Sequence, residues 1–363
     1  GRGAVAISVF VANLRGEGRR PACLRSVFAQ EPDEVLLVDS GSTDGAETKA
    51  EAEFDLRLIR LDGNLGPSAA RNRGLAEARH DRVLLIDNDV VLMDGALSIL
   101  SEVLDADEGL SLVQARSLLS GEGFHPDDPQ QALVHYDGAT FHYLGLLALR
   151  HWYAPLREMG EAKVAPVDCA ISLCCLGRRS DLLAAGGYDE ATFSRWEDTG
   201  LAYALRLMGK RIAGAEAAVC WHGGGTQDLS TRGSKARLPK QRSFLQSRNR
   251  WIFILTSFRL WNLFLLFPGY VAYGFVHLAF VVSQGHLGPW LRGKWALVGL
   301  LPTLRRRRRA LQAIRTVPDK ALLSSPDLTF NPGLAETAPR RLLRRSLDLC
   351  LRSWFSLVRG VMR

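Results

Sequence analysis

Two carboxylates separated by one residue follow an apolar run in the first third of the chain. Asp87 comes directly after residues 83–86, Val-Leu-Leu-Ile, and Asp89 follows it beyond Asn88. Carboxylates at the tip of a buried strand are costly unless a cation or a ligand compensates their charge. Mg²⁺ and Mn²⁺ bind carboxylate oxygens together with phosphate oxygens, whereas Asp and Asn also favour ordinary turns. The pattern indicates either a divalent-cation site for a diphosphate or a turn.

A second acidic group lies in the other half of the chain. Asp189 and Glu190 follow Gly-Gly-Tyr, and Trp196, Glu197 and Asp198 stand at the start of a helix-like stretch. A carboxylate in a cleft suits a general base that takes a proton from a hydroxyl group. Acidic residues also stabilise helix N-termini, so a purely structural role stays open.

Further polar side chains follow the predicted strands. Asn13 comes soon after the first strand-like run, and Asp39 ends the second, with Ser42 in the turn that follows. The Asp39 carboxylate could accept a hydrogen bond from a nucleobase N–H, while Ser42 or Thr43 suits a helix N-cap. Arg71 lies near the start of a helix, where a guanidinium pairs with a base or a phosphate or else stays solvated. His222 stands beside glycines, which allow another group to approach closely, although a single histidine is more often structural.

The elements that must position these side chains alternate over residues 4–87. Strand-like runs at residues 4–10, 34–39, 56–61 and 82–87 are separated by helix-period stretches at residues 20–30, 44–53 and 67–79. This alternation predicts an α/β fold with a mostly parallel sheet. Ligands of such sheets bind at the carboxyl ends of the strands, which is where Asn13, Asp39 and Asp87 fall.

Residues 117–167 are rich in histidine, proline and aromatic residues and predict an irregular inserted region, which would face an acceptor substrate. A strand is predicted at residues 169–176 and a helix at residues 195–208. Residues 1–229 carry a net charge of −12 and residues 230–363 carry +20, out of a total of +8. We therefore predict two domains, 1–229 and 230–363, the second with a polyanionic partner. Nucleic acid and an anionic membrane are the two candidates.

Residues 260–282 contain no charged side chain and are long enough to span a bilayer. Pro268 and Gly269 favour two short helices there, because proline removes a backbone donor and clashes with the preceding turn. Arginines lie on both sides of the stretch, and residues 340–363 predict a basic amphipathic helix. This arrangement favours a re-entrant or interfacial membrane attachment with both flanks in the cytoplasm, and it disfavours nucleic acid as the partner.

Five motifs follow one another along the chain. They are residues 38–45 (V-D-S-G-S-T-D-G), residues 64–74 (N-L-G-P-S-A-A-R-N-R-G), residues 87–89 (D-N-D), residues 186–190 (G-G-Y-D-E) with residues 197–198 (E-D), and His222. In their order and spacing, these motifs resemble family 2 glycosyltransferases of the GT-A fold, in particular the rhamnosyltransferase-like branch. Arg248 and Asn249 also resemble the pair that opens the family's C-terminal helical part, and the resemblance covers residues 4–320.

The resemblance implies a GT-A fold, that is, a Rossmann-like sheet with helices on both faces, followed by a helical, membrane-associating region. Asp198 would be the catalytic base, with Glu197 beside it, and Asp89 and His222 would ligate Mn²⁺ or Mg²⁺. Donor-binding residues would be Asn13, Asp39, Ser42, Arg71 and Asp87, with Asp39 and Arg71 at the nucleobase; acceptor-side residues would be Asp189, Glu190 and Trp196.

Two positions depart from the family pattern. Residues 10–12, Phe-Val-Ala, replace a proline-aromatic lead that would stack on the base, and Gly200 replaces a second acid after Glu197 and Asp198. Base stacking from the first loop and a role for that further acid are therefore not implied for this chain.

The implied activity is inverting, metal-dependent glycosyl transfer from a nucleoside-diphosphate sugar, either dTDP-rhamnose or a UDP-sugar. The acceptor would be a hydroxyl of a lipid-linked glycan or another cell-envelope molecule. The protein would lie on the cytoplasmic side of the cell membrane, peripheral or monotopic, against an anionic surface and without nucleic acid. A catalytically inactive membrane-bound scaffold is the first alternative, and the complete acid set argues against it. A sugar nucleotidyltransferase is the second; residues 13–20 lack its glycine-rich triphosphate loop.

Overall fold

The computed structural model describes residues 5–14, 20–43, 45–119, 131–223, 239–329 and 337–363. The chain forms two compact units. Unit 1 comprises Gly1–Gly138, Arg150–Leu205 and Lys210–Gly225, and unit 2 comprises Ala139–Leu149, Arg206–Gly209 and Thr226–Arg363. The predicted division between residues 229 and 230 falls outside the described residues, so it stays a prediction.

Four parallel strands form one half of the sheet of unit 1, in the order β3-β2-β1-β4. The apolar, β-branched sequences of β1, β2 and β4 leave almost every side chain buried, as is typical of strands covered on both faces. The register pairs Asn13 with Asp39 and Ala12 with Asp87, so these carboxyl ends lie at one edge. The bounds are β1 (Ile7–Asn13), β2 (Glu34–Asp39), β3 (Arg57–Arg60) and β4 (Arg82–Asp87). The predicted parallel sheet is confirmed.

The other half of the sheet is mixed. β11 (Cys174–Arg178) runs antiparallel between β4 and β6 (Leu110–Leu119), and β12 (Arg211–His222) lies parallel to β6. Three short strands extend this half by antiparallel pairing. β5 (Val90–Leu92) and β10 (Val164–Val167) pair with β12, and β7 (Val134–Tyr136) pairs with β6.

Two predictions for this half are wrong. Residues 117–167 are not irregular throughout, because β7 and β10 join the sheet; residues 120–130 lie outside the described chain. The strand predicted at residues 169–176 begins only at Cys174. The amide of Ile171 bonds instead to the Gln114 side chain, and that of Ser172 to the Asp198 carboxylate. Side chains far away in the sequence thus replace strand pairing for these two residues.

Helices connect and cover the strands of unit 1. Pro67 occupies the first turn of α3, where its missing N–H has no helical partner, and Gly66 precedes it at φ 86°. α3 packs on β1 and β2, whereas α4 packs on β6, β11 and β12 through an apolar stripe ending at Leu104. The bounds are α1 (Arg20–Phe28), α2 (Ala46–Glu53), α3 (Pro67–Glu77), α4 (Ala96–Asp105), α5 (Arg179–Ala184) and α6 (Glu197–Leu207).

Unit 2 is mainly helical. A two-stranded ribbon, β8 (Ala139–His142) and β9 (Leu146–Leu149), accompanies the helices. α9 lies close to α7, since a Cβ on Gly293 would overlap Ser247. The helices are α7 (Lys240–Ser257), α8 (Leu260–Ser283), α9 (Leu287–Gly299), α10 (Leu301–Ala313), α11 (Asp319–Leu322) and α12 (Ala338–Arg359).

The predicted pair of short helices at residues 260–282 is wrong, because α8 is one continuous helix with Pro268 inside it. Pro268 is exposed, so the hydrogen bond that proline cannot make is lost on the open side of the helix. Gly269 is buried, and a Cβ there would overlap the Tyr143 phenol. The glycine thus serves close packing within unit 2 rather than a break.

The outer surfaces of α8 and α12 are rich in apolar side chains. By length and composition α8 could cross a membrane, and only 22% of its most apolar window is buried. α12 confirms the predicted amphipathic helix: Leu347, Leu351, Phe355 and Val358 are buried, and exposed arginines lie between exposed leucines. It packs on α8, where the Trp354 indole donates to the Leu265 carbonyl at 3.0 Å.

Candidate active site

The two predicted metal ligands lie side by side at the carboxyl edge of the sheet. β5 pairs antiparallel with the end of β12, and this register sets His222 opposite Val90, next to Asp89. His222 Nε2 lies 3.5 Å from Asp89 Oδ1, and both side chains are nearly buried. Residues distant in sequence thus offer one imidazole nitrogen and one carboxylate to the same point.

These two donors fit a hard divalent cation. Ligands of one octahedral ion at about 2.1 Å lie about 3 Å apart when adjacent, close to the separation of Asp89 and His222. A carboxylate with one imidazole leaves coordination positions for water and for diphosphate oxygens. When bound, Mn²⁺ or Mg²⁺ would neutralise charge on a leaving diphosphate.

His135 lies behind His222 and was not predicted. Its Nδ1 is 3.0 Å from His222 Nδ1, so one imidazole donates to the other. The His135 ring packs 4.2 Å from Tyr136 and 5.1 Å from Trp152, centroid to centroid. Such a contact fixes the orientation and tautomer of a ligand histidine and leaves His222 Nε2 on the Asp89 side. Residues 117–167 are rich in histidine and aromatic residues, but no spacing rule links His135 to His222.

A buried arginine holds the carboxylates of the site together. Arg71 is 4% exposed; its Nη2 lies 2.9 Å from Asp87, and its Nη1 lies 3.3 Å from Glu197 and 3.8 Å from Asp198. Although burial lowers the pKa of Arg71, the carboxylates of Asp87 and Asp198 raise it above its ordinary value. The structure thus places Arg71 among the acids, and its predicted contact with a nucleobase stays a prediction.

The two acids at the start of α6 differ in their surroundings. Glu197 is 6% exposed, and burial followed by the charge of Asp198 raises its pKa to about 7. Asp198 is more accessible, and its Oδ1 accepts a hydrogen bond from the Ser172 amide at 3.2 Å. Burial also raises the pKa of Asp87, even though Arg71 acts in the opposite direction. Asp198 is therefore the member of the pair that a substrate hydroxyl could reach more easily.

The backbone that leads into α6 is strained. Phe193, Arg195 and Trp196 all have positive φ, between 61° and 69°. Bulky residues adopt this left-handed region only when their surroundings impose it, and such strain clusters at functional sites. The carbonyl of Phe193 also lies where a Cβ of Gly66 would be, which explains the need for glycine before α3. Trp196 thus belongs to a segment whose shape depends on its neighbours.

The Asp39 carboxylate has four donors within unit 1. Oδ1 accepts from Asn13 Nδ2 at 2.6 Å and from Ser42 Oγ at 2.5 Å, while Oδ2 accepts from the amides of Gly41 and Ser42. Asn88 Nδ2 donates in turn to Asn13 Oδ1 at 2.8 Å. The predicted donor-binding residues Asn13, Asp39 and Ser42 thus come together, and a nucleobase N–H would have to replace one of these donors.

Asn72 joins two of the sequence motifs. Its Nδ2 donates to the Tyr188 carbonyl at 3.0 Å and to Glu190 at 2.8 Å, while its Oδ1 accepts from the Tyr188 amide. Gly187 has φ 65°, and a Cβ there would overlap the Asn72 side chain. Asp189 is buried and caps a short 3₁₀ turn through the Ala191 amide. The two predicted acceptor-side acids thus differ: Glu190 is exposed, whereas Asp189 is buried and accepts a hydrogen bond from the backbone of its own turn.

A second cluster of potential metal ligands in unit 1 consists of Asp137, His151 and Glu216. Arg116 lies 2.8 Å from Asp137 and 3.0 Å from Glu216, and Arg150 pairs with both acids. Two guanidinium groups therefore balance the two carboxylates, and a cation would have to displace them. This cluster is an ion-pair network of the sheet.

Comparison with known proteins agrees with this geometry. Residues 8–183 match the family described as Glycosyl transferase family 2. Pre-mycofactocin glycosyltransferase of Mycobacterium tuberculosis is 31% identical over 196 residues, which is 53% of this chain and 38% of the relative. N-acetylglucosaminyl-diphospho-decaprenol L-rhamnosyltransferase of the same organism is 29% identical over 202 residues, covering 51% and 64%. The chain thus spans between 38% and 64% of the length of these curated relatives.

Solved structures share the fold at low identity. S. aureus TarS 1-349 in complex with UDP-GlcNAc superposes with a TM-score of 0.51 at 16% identity, covering 98% of this chain and 92% of that protein. GalNAc-T7 with UDP, GalNAc and Mn²⁺ gives 0.52 at 12% identity, covering 70% and 51%. The architecture is therefore that of GT-A glycosyltransferases. Residues 8–183 are therefore the part of the chain that matches glycosyl transferase family 2.

Proposed function

We propose that this chain is an inverting, metal-dependent glycosyltransferase that uses a nucleoside-diphosphate sugar. One observation carries the proposal: the Asp89–His222 pair and the acids Glu197 and Asp198 lie in the same unit, and Arg71 bridges the latter two to Asp87. A cation site beside a reachable carboxylate is what transfer from a diphosphate leaving group requires.

In this mechanism the oxygen of the acceptor hydroxyl bonds to the anomeric carbon of the donor sugar, and Asp198 takes the proton of that hydroxyl. The bond from that carbon to the diphosphate breaks on the opposite side, so one displacement inverts the configuration. Arg71 holds Asp198 and Glu197 in place, and Asp89 with His222 would hold Mn²⁺ or Mg²⁺. Asn13, Asp39 and Ser42 would surround the nucleoside.

The finer proposals concern substrates and location. dTDP-rhamnose or a UDP-sugar is the proposed donor, and a lipid-linked glycan or another cell-envelope molecule is the proposed acceptor. Two observations support these proposals. One relative is named as a rhamnosyltransferase that acts on N-acetylglucosaminyl-diphospho-decaprenol, and the apolar helix α8 is largely exposed. We place the protein on the cytoplasmic side of the cell membrane, as a peripheral or monotopic protein.

The test is a panel of nucleotide sugars, with release of nucleoside diphosphate measured for the wild type and for Asp89→Ala. Asp55→Asn is the control, since Asp55 is an exposed acid before β3, at the other end of the strands. We expect turnover with at least one donor, loss of it in Asp89→Ala and in EDTA, and no change in Asp55→Asn. Full activity in EDTA would refute metal dependence. Release of pyrophosphate from a nucleoside triphosphate and a sugar phosphate would instead favour a nucleotidyltransferase.

A further inference from the structure

An arginine of α7 is buried in unit 2 without an acidic partner among the described residues. Arg250 is 5% exposed, and its Nε donates to the Leu144 carbonyl at 2.7 Å. Its guanidinium lies over the rings of Tyr273, at 4.7 Å, and Trp251, at 5.4 Å. Nη2 has no hydrogen-bond partner within the described chain. A buried cation in this situation has lost its hydration without gaining a counter-ion, which is costly.

Lys294 of α9 brings a second cation to the same aromatic group. Its Nζ lies 5.0 Å from the Trp251 ring, which Arg250 also contacts, and 5.2 Å from the Trp290 ring. Nζ donates to the Ser247 carbonyl at 3.2 Å. Burial and then the charge of Arg250 lower the pKa of Lys294 to about 7. Two cations thus share a poorly solvated place where each disfavours the charge of the other.

Neutral donors around these cations also lack acceptors. The Tyr270 hydroxyl and the Trp290 indole N–H are buried and have no hydrogen-bond partner within the described residues. Asp319 is near enough to Tyr270 to affect its titration, but its own carboxylate already accepts from Arg315, from Asn262 and from the Arg259 amide. Donors therefore outnumber acceptors here, which is the composition of an anion site.

The faces of α8 and α9 near this cluster are apolar and exposed. Phe267, Val271 and Phe275 follow one another at one-turn spacing along α8, with 40–70% of each exposed. On α9, Leu291 is 44% exposed and Trp295 is 74% exposed. Exposed aromatic residues beside cations are typical of surfaces that meet lipid headgroups and the first part of the acyl chains.

We propose that Arg250 and Lys294, together with the Tyr270 hydroxyl and the Trp290 indole N–H, bind the phosphate group of a membrane lipid. The phosphate oxygens would accept from the unpartnered donors, and the lipid chain would cover the apolar faces of α8 and α9. This proposal deepens the proposed membrane partner of the protein, but it rests on unit 2 alone and does not require sugar transfer.

The experiment measures binding of the purified full chain to phosphatidylcholine vesicles with and without phosphatidic acid, in the absence of any nucleotide sugar. High salt screens diffuse surface attraction more than a buried contact. Under those conditions we expect Lys294→Gln to lower the affinity for phosphatidic acid about tenfold, since a charge-assisted hydrogen bond is lost. Arg292→Gln is the matched control, because it removes an exposed charge from the same helix, and it should bind like the wild type.

Two further measurements separate the proposal from a structural role. Lys294→Gln should not lower the thermal unfolding midpoint of the lipid-free protein, because it removes an uncompensated cation; a lowered midpoint with unchanged lipid affinity would overturn the proposal. Trp290→Phe keeps the ring and removes the donor, so it should also weaken phosphatidic acid binding.

Inorganic phosphate and pyrophosphate, followed by tryptophan fluorescence, test for a soluble anion instead. If they bind through Lys294 while vesicles show no preference for phosphatidic acid, the assignment to a lipid is wrong. Equal losses in Lys294→Gln and Arg292→Gln would likewise overturn it, since they would indicate diffuse surface charge.

Discussion

Arg71 Nη2 lies 2.9 Å from Asp87 Oδ1, and through this contact one buried guanidinium connects the two acidic motifs of the chain. The same side chain reaches Glu197 and Asp198 with its other terminal nitrogen. Three carboxylates can therefore stand close together before any metal or substrate binds.

Removing this guanidinium should destabilise the fold. Arg71→Ala leaves buried carboxylates without a partner, and breaking a buried ion pair costs about 3–5 kcal/mol. Urea unfolding measures this change. Arg73→Ala is the control: Arg73 pairs with Glu77 on the exposed face of α3, where a surface pair is worth about 1 kcal/mol or less. Equal unfolding free energies for the two variants would show that Arg71 does not compensate the acids.

Glu197 should make stability depend on pH. Its pKa in the folded protein is about 7, above its ordinary value of 4.5, so the folded state keeps a proton that the unfolded state has released. Stability should therefore fall as pH rises from about 4.5 to about 7. Glu197→Gln should flatten this part of the profile of unfolding free energy against pH. Glu102→Gln, at an exposed position of α4, should leave the slope unchanged; an identical slope in Glu197→Gln would contradict the prediction.

Asp198→Asn should remove the general base. We expect turnover to fall about 10²–10⁴-fold, while affinity for the nucleotide donor and for Mn²⁺ stays near that of the wild type. Steady-state kinetics and calorimetric titration separate the two effects, and Asp55→Asn is again the neutral control. If Asp198→Asn keeps wild-type turnover, the base is Glu197 or Asp189.

His135→Phe should weaken metal binding without changing a ligand. The substitution keeps a ring packed against Tyr136 and Trp152 but removes the nitrogen that contacts His222. Loss of such a contact typically lowers metal affinity about 10–100-fold. Titration with Mn²⁺ followed by electron paramagnetic resonance measures this without turnover. His80→Phe, a histidine just before β4, controls for the change of residue type; unchanged Mn²⁺ affinity in His135→Phe would show that His222 needs no such support.

The exposed face of α8 should determine membrane association. Phe264 and Phe275 are 72% and 70% exposed, and transfer of a phenylalanine from water contributes up to about 3 kcal/mol. Replacing both with serine should lower binding to phosphatidylcholine vesicles at least about tenfold. Leu183→Ser removes an exposed apolar residue of unit 1 and should have no effect. Quantitative recovery of the wild type in the soluble fraction at low salt would show that this face does not bind membranes.

The sequence was sufficient to predict those helices and strands whose formation depends on the pattern of neighbouring residues. The strands at residues 34–39 and 82–87 were predicted with the bounds that β2 and β4 have, because buried parallel strands are continuous apolar runs. Pro67 stands at the start of α3, and the helical spacing of apolar residues among arginines predicted α12. The acids at the strand ends followed from the same pattern.

Tertiary structure decided what depends on partners far apart in the chain. Whether Pro268 breaks a helix depends on which side of α8 it occupies, and Gly269 is explained only by the Tyr143 ring against it. The same is true of the site. By sequence alone Arg71 could face solvent, and the tertiary structure places it among three carboxylates. His135 belongs to no sequence motif, and only packing brings it against His222. Local propensity acts over a few residues, whereas burial and charge compensation act between neighbours in space, and those neighbours exist only once the chain has folded.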